Sequence, residues 1–93
     1  KHDNIVSIST LQHKPSFENS DTYIKKMVKK MFELANKKVI FDVFSNKFAD
    51  HFIKENLYVE PVEFLKFLYE ITPRVSMINN INKYQVFYIL QKE

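Results

Sequence analysis

The stretch VIFDVFSNKFADHF, residues 39–52, opens on a β-branched and aromatic triplet and then repeats phenylalanine every fourth residue. Val39, Ile40 and Phe41 suit a brief strand. Asp42 is of the residue type that caps a helix, and beyond it Phe44, Phe48 and Phe52 fall on one side together with Phe41. The spacing therefore predicts a helix over about 42–55. On that helix Val43 lies on the far face among Asn46, Lys47, Asp50 and Lys54, an apolar residue aimed at water or at a partner.

Upstream, Ser20 or Asp21 offers an N-cap, and Ile24, Met27, Val28, Met31, Phe32 and Ala35 follow the spacing of one helical face. This predicts a first helix over about 21–36, whose opposite face presents Lys25, Lys26, Lys29, Lys30 and Lys37 against the single Glu33. Residues 1–19 lack a helical period and are expected to be an arm, flexible or ordered by a partner, although Asn4 to Leu11 is β-branched enough for a short strand. Downstream, Asn56 to Val59 make a turn, and Pro61 suits the first position of a third helix ending near Thr72, before Pro73. Val75 to Ile78 and Tyr84 to Leu90 then form a hairpin whose polar turn, from Asn79 to Lys83, uses asparagine where glycine is lacking.

The order of helix, short strand, helix, helix and hairpin predicts an α+β chain of winged-helix type. It has a three-helix core, a short strand between helices 1 and 2, and a C-terminal β-hairpin wing, all in one domain over 20–93. The third helix occupies the place of a recognition helix, yet its polar face carries Glu63 and Glu70 against Lys66, and apolar residues cover most of its circumference. Such a helix prefers protein to phosphate. The last strand is apolar on both sides, so Phe87 and Ile89, with Phe67 of the third helix, are candidates for self-association as a homodimer.

Composition narrows the chemistry. The 93 residues include no cysteine, which excludes disulfides and thiolate chemistry and points to an intracellular, cytoplasmic setting. They include no glycine, whereas phosphate loops, dinucleotide fingerprints and nucleophile elbows all require it. His2, His13 and His51 show no metal-ligand spacing, and Ser45 has no base at helical spacing, so no enzyme, cofactor or metal is expected. No apolar run is long enough to cross a membrane. The chain starts at Lys1 rather than methionine and is expected to be a segment of something longer.

The net charge of +3 is uneven: residues 1–38 hold eight lysines against four carboxylates, and residues 39–93 hold six cations against seven. Lys25, Lys26, Lys29, Lys30 and Lys37, with Lys83 in the wing, are the candidate contacts to RNA or DNA phosphates. Base-specific reading has less support, since Arg74 is the lone arginine.

From Tyr23 to Leu90 the layout resembles the LOTUS, or OST-HTH, domain of germline and RNA-granule proteins. The likeness rests on VIFDVFSNKFADHF as a strand followed by a helix with spaced phenylalanines, on EFLKFLYEITPRVSMI as a third helix running into a short strand, and on YQVFYIL as the closing strand. The resemblance implies a non-catalytic adaptor. Extended members of that family bind the C-terminal lobe of Vasa-type DEAD-box RNA helicases through helix 2 and an added C-terminal helix, and minimal members are associated with RNA. Carried over by position, the helicase-facing surface comprises Val43, Asn46, Lys47, Asp50 and Lys54, and the setting is an RNA granule.

Overall fold

The computed structural model describes residues 2–8, 20–46, 58–80 and 84–92. Its element order is β1 (His2–Ser7), α1 (Ser20–Leu34), β2 (Ala35–Ser45), β3 (Tyr58–Val59), α2 (Pro61–Ile71), β4 (Val75–Ile78) and β5 (Gln85–Gln91). The four main strands lie in the order β1-β2-β5-β4, and the short β3 pairs with the end of β2. β1 and β3 run parallel to β2, whereas β5 is antiparallel to both β2 and β4. Among the described residues this sheet-dominated α+β arrangement with two helices replaces the winged-helix core expected from the sequence.

The correction starts at residues 39–45. They continue a strand of 11 residues instead of opening a helix, and this strand lies at the centre of the sheet. Its inward side is Val39, Phe41, Val43 and Ser45, all buried, and Ile40, Asp42 and Phe44 occupy the other side. From Val39 on, the outer side is largely apolar as well, because Ile40 lies beside Val6 and Ile89 and Phe44 stacks on Tyr58, so the alternation expected of a half-buried strand is lost in the sequence. The spaced phenylalanines then mimic a helical period. Asp42 is no cap: it is fully buried, and its carboxylate accepts a 2.8 Å hydrogen bond from the Gln85 side chain on β5. The remainder of the expected second helix, including Lys47, Phe48, Asp50, Phe52 and Lys54, lies outside the described residues.

Elsewhere local signals prevail. α1 buries Ile24, Val28 and Met31 at helical spacing and passes into β2 with no intervening residue. α2 begins at Pro61, where a missing amide leaves no bond unmade, and the Glu60 carboxylate accepts the Glu63 amide at 2.6 Å. The hairpin forms as expected, with Leu90 opposite Val75 and Phe87 opposite Ile78. The Asn79 side-chain amide donates to the Gln85 carbonyl at 2.9 Å and so adds a last rung to this ladder. The opening residues belong to the sheet: Ile5, Val6 and Ser7 pair with Val39, Ile40 and Phe41.

Both helices cover the same face of the sheet. Ile24, Val28 and Met31 of α1 and Phe64, Phe67 and Leu68 of α2 join Val39, Phe41, Val43, Val86, Tyr88 and Leu90 in one core. At its centre the Phe64 ring lies 6.2 Å from Phe41 in a T-shaped contact and 5.4 Å from Tyr88, and Phe41 stacks on Tyr88 at 5.6 Å. Edge-to-face and offset pairs of this kind add about 0.5–1.5 kcal/mol beyond the area they bury.

Candidate functional site

The lysine face of α1 forms where its spacing places it. Because Ile24, Val28 and Met31 turn toward the sheet, Lys26, Lys29 and Lys30 stand exposed on the outer side and Lys25 is half-buried toward α2. The Lys25 and Lys29 ammoniums lie 5.1 Å and 5.7 Å from the centre of the Phe67 ring. Each such contact contributes about 0.5–1 kcal/mol near the surface, enough to orient a flexible side chain without neutralising it.

Register extends the cationic surface beyond the helix. Lys37 and Lys38 are exposed at the start of β2, three and four residues past the end of α1. The Lys92 amide donates to the Lys37 carbonyl at 2.8 Å, and the Gln91 amide donates to the Arg74 carbonyl at 3.0 Å. Lys37, Lys38, Lys92 and Arg74 therefore share one end of the sheet, Lys37 and Lys92 on the face that α1 covers and, by strand alternation, Lys38 and Arg74 on the other. The Lys92 ammonium lies 4.9 Å from the Phe32 ring of that helix. Helix C-termini carry partial negative charge, which favours cations there. Among the described residues Glu33, in the last turn of α1, and Asp3, which accepts from Asn36 at 3.3 Å, carry negative charge at this end.

Lys38, Lys92 and Arg74 are absent from the set inferred by spacing. Lys38 adjoins Lys37 in the chain, but only strand pairing brings Lys92 and Arg74 to the same end of the sheet, and no helical period signals it. Lys83 lies outside the described residues. α2 has a different character, with Glu63 paired to Lys66 at 3.3 Å and Glu70 exposed beyond them.

The other candidate surfaces change. Val43, expected on the outside of a helix, is fully buried within β2, and its backbone pairs with Val86. Asn46 is exposed just past the end of that strand, and Lys47, Asp50 and Lys54 lie outside the described residues. The helicase-facing patch implied by the resemblance thus has no helix under Val43 to carry it. The self-association set is split across the sheet. Phe67 is buried beneath α1 on the helix-covered side, whereas Phe87 and Ile89 are half-buried on the opposite face near Ile40 and the exposed Val6. These residues cannot form one patch.

Among the described residues no group of three metal-ligating side chains comes together, and no helix is long and apolar enough to cross a membrane. No family model, curated protein or solved structure matches the chain.

Proposed function

We propose that this chain is a non-catalytic module that binds the phosphate backbone of a nucleic acid through the outer face of α1 and the adjoining end of the sheet. The observation that carries the reading is the run of exposed lysines from Lys26, Lys29 and Lys30 to Lys37, all on the helix-covered side of the sheet. Lysines act as point charges on phosphate, and their attraction needs no pocket and no base-edge geometry. With arginine limited to Arg74 and the Phe67 ring buried under lysines, binding is indifferent to sequence.

Fluorescence anisotropy with a labelled single-stranded RNA and a labelled DNA duplex tests this. If about five phosphates are contacted, the logarithm of affinity for the single strand falls with the logarithm of salt at a slope of about −3.5. Lys26→Glu with Lys30→Glu weakens binding and flattens that slope by at least about one per residue, and Lys66→Glu on α2 leaves it unchanged. Flat titrations at about 50 mM salt on both probes reject the reading.

A further inference from the structure

Among the described residues no strand lies against the outer edge of β4, and what stands beside that edge selects an occupant. The Gln91 amide bonds to the Arg74 carbonyl, so Arg74 faces β5, and by antiparallel alternation Ser76 and Ile78 do as well. The amides and carbonyls of Val75 and Met77 consequently point away from the sheet, and β4 has no second strand neighbour among the described residues. Edges of this kind are usually blunted by lysine, proline or a bulge within the strand. Val75–Ile78 contains no charge and no proline and pairs with β5 without a register shift.

An apolar wall stands above this edge. α2 packs over β4, and α1 over β1 and β2, so the Phe67 side of α2, which meets the lysines of α1, faces inward along the sheet. Successive helical residues turn by about 100°, which sets Val62 and Tyr69 on the opposite flank, above the β4 edge. They are 54% and 53% exposed. Met77 lies on the same face of the sheet, because its partner Tyr88 bonds to the Pro61 carbonyl beneath α2, and it is 39% exposed. Three of the seven exposed large apolar side chains among the described residues therefore adjoin a row of backbone groups that point away from the sheet.

We infer that this edge pairs with a second copy of the chain, β4 against β4 antiparallel, about a two-fold axis at Ser76. Val75 of each copy then lies opposite Met77 of the other, and their outward amides and carbonyls make four reciprocal hydrogen bonds. Ser76 meets its own counterpart at the close, non-bonded position, where two hydroxyls can pair. Pro73, with no amide to leave orphaned, ends the ladder at one side and Asn79 ends it at the other. An extended peptide would satisfy the strand edge but leave Val62 and Tyr69 wet. A second copy brings an identical wall, so each covers the other. The patch measures roughly 16 by 15 Å, or about 250 Å² in projection, from the length of an 11-residue helix and the spacing of packed layers. That is well below the ~800 Å² per partner of stable complexes, so the dimer is concentration-dependent.

Sedimentation velocity of the whole chain from about 10 μM to about 1 mM, paired with amide exchange by NMR, decides the matter. The expected result is a monomer–dimer equilibrium in which the Val75 and Met77 amides gain protection as concentration rises. Tyr69→Lys, on an exposed helix surface that leaves the fold intact, weakens association at least about tenfold. Met77→Pro, which removes an outward amide and spares the ladder to β5, does the same. A chain that stays monomeric at about 1 mM overturns the inference, even if the edge then captures an extended peptide. A dimer that neither substitution weakens overturns it equally.

Discussion

Tyr88 carries more of the core than any other side chain of β5. It is fully buried, stacks on Phe41 and donates its hydroxyl to the Pro61 carbonyl at 2.9 Å, fastening α2 to the sheet. Burial, reinforced by the negative charge of Glu60, pushes its phenol well above the ordinary tyrosine range. In the unfolded chain it ionises near pH 10. Its contribution to stability is therefore whole below that pH and is lost as pH rises above it toward the folded value. Alkaline unfolding followed by phenolate absorbance should show one of the five tyrosines ionising only as the fold is lost. Tyr88→Phe should cost about 1–3 kcal/mol in urea unfolding, because a buried carbonyl loses its donor, and should shift alkaline unfolding to higher pH. Asp42 is a second residue whose surroundings overrode its type. A carboxylate that reads as a helix cap is buried against Gln85, and Asp42→Ala should cost about 1.5–3 kcal/mol.

At the scale of elements, the parts governed by neighbours in sequence were legible and the central strand was not. α1, α2 with its proline start, and the terminal hairpin all follow from capping, period and turn chemistry acting over a few residues. β2 fails because its period is set by what lies beside it. Val39, Phe41 and Val43 alternate perfectly, but Ile40 and Phe44 fill the intervening positions, and the resulting apolar run also satisfies a four-residue repeat. Val43 separates the two readings. On an exposed helix Val43→Glu is nearly neutral, whereas in the observed strand it buries a charge in the core and should cost more than about 3 kcal/mol. Urea unfolding of that one variant checks the strand assignment. The lysine face divides in the same way: its α1 part was readable from helical spacing, and its extension through Lys92 required strand register.

Across the whole molecule, the sheet is held by contacts distant in sequence. Ile5 pairs with Val39 and Val43 with Val86, so the centre of the fold closes only after long loops have formed. A three-helix core would close mainly local contacts and fold in microseconds to milliseconds, whereas this topology should refold in milliseconds to seconds by stopped-flow fluorescence. β1 belongs to this non-local framework. Deleting residues 1–8 uncovers an edge of the central strand and exposes Val39 and Phe41, so the truncated chain should lose cooperative thermal unfolding. A chain that keeps its transition after the deletion would show that β1 is dispensable.

The amino-acid sequence by itself determined the two described helices, the closing hairpin, the basic face of α1 and the lack of cysteine and glycine that removes whole classes of chemistry. Each of these depends on residue type or on spacing within a few turns. The tertiary structure alone decided that residues 39–45 extend as a strand, that Val43 faces inward, and that Phe67 lies on the opposite side of the sheet from Phe87 and Ile89. It also brought four cations to one end of the sheet and left β4, among the described residues, with no strand on its outer edge beneath Val62 and Tyr69. The physical reason is that helical period and capping are local interactions, whereas a strand gains its hydrogen bonds and burial only from partners the chain brings from elsewhere.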